Sequence, residues 1–138
     1  LLPEIARADV IVGNDDEFAV LCGGDKNEGF EFARSFANAG HLVFYKMGEE
    51  GCLTLNNKIV FQTGIFPVAV VKPFGAGDAF LGNLIARLSL DGNIKASVIC
   101  GSAAAAFVVA RSGCASAMPN KQELEKFILS NKMTRPKK

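Results

Sequence analysis

Short unbroken apolar runs and helix-spaced apolar stripes alternate along this chain. Val10-Ile11-Val12, ended by Gly13, reads as a buried strand, because strands covered on both faces lose their polar alternation. Asn14-Asp15-Asp16-Glu17 follows, an Asn or Asp cap with acids suited to the positive first turn of a helix. After Gly23-Gly24, Phe32 and Phe36 stand four apart and predict an amphipathic helix over 28–39, closed by Gly40. Residues 42–45 predict the next buried strand. Two β runs, 52–55 and 58–62, flank Asn56-Asn57 and predict a hairpin.

Residues 67–71 predict a further strand, which Pro73 stops. A helix starts within Gly75-Ala76-Gly77-Asp78, with Phe80, Leu81, Leu84, Ile85 and Leu88 as its apolar stripe and Asp91-Gly92 as its close. Residues 96–110 are almost all small or apolar, a stretch short of the roughly 20 needed to cross a bilayer, so a fully buried helix is predicted. Pro119-Asn120 introduce a last helix with Leu124, Phe127 and Ile128 inward. The basic end, 132–138, is expected to fray. Strands alternating with helices imply an α/β layered fold with a mostly parallel sheet.

Composition narrows the function classes. With 138 residues, 49% hydrophobic and 21% charged, the chain is globular and domain-sized. A net charge of +1 gives no electrostatic case for nucleic acid or a membrane surface. Four cysteines without a C-x-x-C pair read as buried small hydrophobes in a reducing compartment. The single histidine, His41, sits beside Gly40 between a helix and a strand, and reads as a loop residue. No targeting segment is visible, and a cytoplasmic location is expected.

The sharpest chemistry lies in Lys72-Pro73-Phe74-Gly75-Ala76-Gly77-Asp78-Ala79-Phe80, where strand, glycine-rich turn and helix start come in that order. Free N–H groups and a positive dipole make such a helix start an anion site. Gly75 and Gly77 remove the Cβ atoms that would hold a phosphoryl group away from those donors. Asp78, in the first turn, suits a general base acting on a hydroxyl while the hole stabilises charge on a transferred group. The plainer alternative is a tight turn followed by a favourable first-turn acid. Neither a Walker A motif nor G-x-G-x-x-G is present.

Gly75-Ala76-Gly77-Asp78-Ala79-Phe80 resembles the C-terminal signature of the ribokinase-like (PfkB) carbohydrate kinases. Asn14-Asp15-Asp16-Glu17 resembles their N-x-x-E motif, Lys46-Met47-Gly48-Glu49-Glu50-Gly51 their nucleotide loop, and Arg111-Ser112-Gly113-Cys114 their late loop beside the nucleotide. All four stand in the family's order. The resemblance implies the C-terminal portion of a three-layer αβα fold, with the nucleotide-binding and catalytic part over 1–131.

It also implies roles. Asp78 would deprotonate the acceptor hydroxyl, and Gly75, Ala76 and Gly77 would offer the anion hole to the γ-phosphoryl group of ATP. Asn14 and Glu17 would organise Mg²⁺ and its waters, against a plain reading as helix cap and first-turn acid. Gly48 and Gly51 would let backbone approach ATP, with Lys46 directed at phosphates or simply solvated. Ser102, Ala103 and Ala106 would form part of the adenine wall, or merely pack helices. Gly113 would pass close to the base, or end a helix.

Three stretches (66–78, 101–109 and 114–119) narrow the resemblance to kinases that phosphorylate the 6-hydroxyl of a 5-dehydro-2-deoxy sugar acid of myo-inositol catabolism. Fructokinase-type or keto-deoxy-sugar-acid kinases, and a nucleotide-binding module without catalysis, are the alternatives. One departure stands out: many family members carry an Asp six residues before the catalytic Asp, helping to bind a monovalent cation, and here that position is Lys72. An ammonium cannot ligate K⁺, so activity without K⁺ dependence is expected. Family members run to about twice this length, and the absent portion normally carries the sugar-contacting residues and a β lid. The chain is therefore expected to expose sheet edge and apolar surface, and to self-associate.

Overall fold

The computed structural model describes residues 2–111 and 118–136, which form two compact units, one through Thr63 and one from Gly64 to Arg135. The first unit opens with a short helix α1 (Leu2–Ile5) and strand β1 (Val10–Asn14). Helices α2 (Asp15–Leu21) and α3 (Lys26–Asn38) follow, then β2 (Leu42–Lys46), a 3₁₀ turn over Gly48–Glu50, β3 (Cys52–Leu55) and β4 (Val60–Thr63). The strands lie in the order β1-β2-β3-β4, with β1 parallel to β2 and the other two pairings antiparallel. The fold is α/β as expected, but the described sheet is mixed rather than mostly parallel. The reason is local: only the helical crossover α2–α3 joins parallel strands, whereas short connections return the chain antiparallel.

Phe18, Ala33, Ala37, Val43, Tyr45 and Leu55 make the core of this unit. Gly29 is the contact that lets α2 and α3 close: a Cβ there would lie 2.7 Å from the Ala19 amide nitrogen. Tyr45 packs between Phe18, tilted by 30°, and Phe30, edge-on at 77°, with both ring centroids 5.4 Å away.

The second unit contains α4 (Ala76–Asp91), α5 (Ile94–Val109) and α6 (Lys121–Ser130). Its core joins Phe66, Ala79, Ala103, Ala104, Ala106, Val108 and Leu124, with Phe127 and Ile128 of α6 packed against it. The small residues of α5 do what the composition implies, since they let α4 approach until a Cβ at Gly101 would sit 2.9 Å from the Phe80 carbonyl. No helix among the described residues is long and apolar enough to cross a membrane.

Three sequence expectations change here. The strand expected over 67–71 forms no ladder among the described residues, and Pro67 has no N–H to give. At its end the N–H groups of Val71 and Lys72 both reach the Val109 carbonyl, at 2.8 and 3.2 Å. The α4 stripe splits, with Phe80 and Leu84 buried while Leu81 and Ile85 remain 44% and 38% exposed. Near the end of the chain, the Thr134 N–H donates to the Ile65 carbonyl at 2.7 Å and the Thr134 hydroxyl accepts from the Ile65 N–H at 2.8 Å, so this part of the basic segment is tied down rather than frayed.

Candidate active site

Four of the described helices start on an Asn or Asp whose side chain accepts from their first-turn N–H groups: Asn14 for α2, Asp25 for α3, Asn93 for α5 and Asn120 for α6. Helix α4 starts on Gly75, with no side-chain cap. Gly75 sits at φ +87°, ψ −4°, a left-handed conformation that glycine adopts without strain. Its carbonyl accepts the Ala79 N–H at 3.0 Å and closes the first turn. The N–H groups of Ala76, Gly77 and Asp78 therefore lie ahead of the intrahelical ladder, where a side-chain oxygen would otherwise sit. Gly77 and the Asp78 carboxylate are exposed, so the one acid of this turn stands open beside the uncapped donors.

In the first unit, the sheet brings two of the singled-out segments together. Asn14 and Lys46 are register partners at the carboxyl ends of the parallel strands β1 and β2, the end of an α/β sheet where ligands bind. Beyond β1, Asn14 and Glu17 form a reciprocal capping box. Beyond β2, Gly48 and Gly51 adopt φ +58° and +90°, and the Met47 N–H donates to the Gly51 carbonyl at 2.8 Å, making a closed loop. Gln62 Nε2 ties that loop to β4 through the Glu50 carbonyl at 2.8 Å. Lys46 also faces Cys52 of β3, whose thiol is pushed up to about 12 by burial, against the Thr54 hydroxyl and the Lys46 charge, which act to lower it. Outside the loop, Lys26 pairs with Asp16 at 2.8 Å and Asp15 at 3.3 Å, and these carboxylates hold its ammonium above the ordinary range.

The donor set of Asn14 and Glu17 is compatible with a hard cation. Glu17 Oε2 is engaged by the Asn14 N–H, while the other carboxylate oxygen and the second lone pair of the Asn14 amide oxygen remain. One amide oxygen and one carboxylate suit an ion such as Mg²⁺, a hard cation that keeps several waters and leans on phosphates.

On α5, Ser102 is half-buried, whereas Ala103 and Ala106 lie in the core of the second unit. Gly113 lies outside the described residues. Just before it, the Arg111 guanidinium stacks 3.4 Å from the Phe107 ring centre. The sequence reading missed Gly13: a Cβ there would lie 2.9 Å from the Phe18 ring and 3.3 Å from Glu17 Oε2, so this glycine admits the Glu17 carboxylate to the strand end. Its sole signal was a glycine directly before the Asn.

The model of the pfkB family carbohydrate kinases matches residues 2–121. A 5-dehydro-2-deoxygluconokinase from Photobacterium profundum is 39% identical over 126 residues, which cover 88% of this chain and 38% of the relative. The chain thus spans well under half the length of the curated relatives it matches. Among solved structures, a ribokinase from Thermotoga maritima aligns with TM-score 0.80 and 32% identity, over 91% of this chain and 44% of that one. A ribokinase II-like protein from E. coli in complex with ATP and Mg²⁺ aligns with TM-score 0.80 and 25% identity, over 92% of this chain and 41% of that one.

Proposed function

The chain belongs to the pfkB family of carbohydrate kinases, and from that premise we propose that it carries the nucleotide and base machinery of an ATP-dependent sugar kinase, with a 5-dehydro-2-deoxy-D-gluconate as acceptor. The observation that supports this best is the uncapped α4 N-terminus with Asp78 in its first turn. In this reading the acceptor's primary hydroxyl gives its proton to Asp78 as its oxygen attacks the γ-phosphorus, while the bond from that phosphorus to the β,γ-bridging oxygen breaks and ADP leaves with its electron pair. The N–H groups of Ala76 and Gly77, with Gly75 folded out of their way, face the charge on the transferred group. A positioned base contributes about 10²–10⁴-fold, and each donor of such a hole about 10²–10³-fold.

Lys46 directs its charge at the phosphates, and the Gly48–Gly51 loop allows backbone to approach them. Ser102 offers α5 surface to the adenine, while Ala103 and Ala106 hold that helix in place and Gly113 follows beside the base. Mg²⁺, when held through Asn14, Glu17 and waters, would neutralise phosphate charge during transfer. The reading includes a cytoplasmic location, a compartment that supplies ATP. The sugar acid is favoured by relatives at 32–39% identity bearing that activity's name. A ribose-type acceptor is the second reading, favoured by the ribokinase aligned at 32%.

The test joins this chain to the complementary portion of the Photobacterium profundum relative and measures ATP–Mg²⁺ binding by calorimetry and phosphoryl transfer to both acceptors. Turnover with the sugar acid that is lost on Asp78→Asn, with ATP binding retained, supports the reading. Normal turnover with Asp78→Asn overturns the base assignment, and ATP binding without turnover by the unsubstituted protein overturns the enzyme assignment.

A further inference from the structure

The end of α5 is wound more tightly than the helix before it. In a regular α-helix the Arg111 N–H would bond the Phe107 carbonyl, four residues back. It bonds the Val108 carbonyl instead, three residues back, at 3.2 Å. The side chain of the same residue takes the carbonyl thus left over: Arg111 Nη1 donates to the Phe107 oxygen at 3.0 Å. The Ala110 N–H reaches the Ala106 carbonyl at 3.2 Å, and the Val109 carbonyl accepts from Val71 and Lys72. Every carbonyl from Ala106 to Val109 therefore has a donor, where a helix end ordinarily leaves several to water.

Two features keep the guanidinium there. Its central carbon lies 3.4 Å from the Phe107 ring centre, so the group that stacks on this ring also bonds the carbonyl of the same residue. The ring itself cannot retreat. Phe107 is buried, with edge-on contacts to Phe127 at 6.0 Å and from Phe127 to Phe66 at 5.5 Å. A cation at this end also meets the negative pole of the helix.

What the tightened turn holds is the chain entering α4. Val70 and Val71 are 62% and 63% exposed, and residues 67–71 form no ladder among the described residues, so neither burial nor pairing places this stretch. The bonds of Val71 and Lys72 to the Val109 carbonyl do. Three residues beyond Lys72, Gly75 meets the same helix end, with Val108 Cγ1 3.4 Å from where a Cβ would stand. We propose that Arg111 is a positioning residue for the Gly75–Asp78 turn: held by the Phe107 ring and carbonyl, its guanidinium keeps the α5 end tightened, and the Val109 carbonyl then pins the chain leading into that turn. Without the guanidinium, the N–H of residue 111 is free to return to the Phe107 carbonyl, and that change of winding turns the last peptide groups, Val109 among them. The consequence for turnover rests on the kinase reading above; the clamp itself does not.

Arg111→Met keeps an apolar stem over the Phe107 ring and removes every side-chain donor, whereas Arg111→Lys keeps a cation that can reach one carbonyl but loses the planar stack. In the chain itself, the Val71 and Lys72 amides are expected to exchange with deuterium about tenfold faster or more in Arg111→Met, and less so in Arg111→Lys, while the Ala103 and Ala104 amides inside α5 keep their rates. In the kinase joined as above, Arg111→Met is expected to lower kcat about tenfold or more, part of the roughly 10²–10³-fold that a lost transition-state donor costs, with the KM for ATP within about twofold. Arg111→Lys should recover part of that kcat. Unchanged exchange at Val71 and Lys72 in both variants overturns the proposal, as does exchange that rises equally throughout α5, which would leave Arg111 a stability residue alone. A raised KM for ATP with kcat intact also overturns it, by making Arg111 a nucleotide contact. Absence of turnover in the unsubstituted joined kinase counts against the kinase reading only, and the exchange rates then decide the clamp.

Discussion

Asn14 and Glu17 hold each other at both ends: Asn14 Oδ1 accepts the Glu17 N–H at 2.8 Å, and Glu17 Oε2 accepts the Asn14 N–H at 2.7 Å. This reciprocity separates a structural role from a chemical one. Gln can replace Glu at the third position of a capping box, because an amide oxygen reaches back to the cap N–H as a carboxylate does. Glu17→Gln is therefore expected to leave urea stability nearly unchanged while weakening Mg²⁺-dependent ATP binding in the joined kinase. Asn14→Ala removes the cap oxygen and is expected to cost about 1 kcal/mol of stability. Equal ATP–Mg²⁺ affinity in Glu17→Gln would leave the pair as a helix cap alone.

Gly82 and Gly101 are both helical glycines, yet their surroundings predict opposite signs. A Cβ at Gly82 on α4 meets nothing within 4 Å, so Gly82→Ala gains helix propensity without a clash and is expected to stabilise by about 0.5–1 kcal/mol. A Cβ at Gly101 on α5 would meet the Phe80 carbonyl at 2.9 Å, Phe80 Cδ2 at 3.1 Å and Leu84 Cβ at 3.3 Å. Gly101→Ala must push two packed helices apart and is expected to destabilise by about 1–3 kcal/mol. Urea denaturation followed by circular dichroism checks both signs, and a shift in the same direction for the two would refute the packing account.

These glycines also mark what was legible in sequence. The cap at Asn14, the strands β1 and β2, the Asn56-Asn57 hairpin and the glycine start of α4 are written in short-range patterns, and the fold reproduces them, although Val10, Ile11 and Val12 are half-buried where full burial was expected. The run at residues 67–71 has the same local character as β1, but a strand exists only where a neighbour supplies a ladder, and periodicity says nothing of the neighbour. Leu81 and Ile85 fit the α4 stripe, yet α5 covers only the side bearing Ala79, Phe80 and Leu84. At the candidate site, Gly75 and Asp78 were visible through their spacing. Gly13 was not, because its role is to leave room for a side chain four residues on, which only the folded turn defines.

Lys72 stands six residues before Asp78, half-buried, with its N–H on the Val109 carbonyl at 3.2 Å. An ammonium supplies positive charge where a carboxylate would recruit a monovalent cation. Exchanging Na⁺ for K⁺ at constant ionic strength is accordingly expected to leave kcat of the joined kinase unchanged. A large rise in K⁺ would show that the cation binds without this position.

Cys52 gives the chain a pH dependence that can be read without any substrate. Burial pushes its thiol from an ordinary 9.0 up to about 12, so the folded chain keeps that proton where the unfolded chain releases it. The associated stability is fully present below pH 9.0, falls as pH rises above it, and is lost as pH passes about 12. Burial raises the Cys100 and Cys22 thiols from 9.0 as well, so they add to the decline in the same window, whereas Lys26, raised above 10.5 by Asp16 and Asp15, acts only at higher pH. Between pH 8 and 10 the urea midpoint is thus expected to decline in the unsubstituted chain. Cys52→Ala should lower the midpoint at every pH, through the cavity it leaves, and flatten the decline. An equally steep decline in Cys52→Ala would place the titrating group elsewhere. Alkylation of Cys52 at pH 8 should likewise wait for unfolding, because the thiolate is the reactive form and the fold suppresses it.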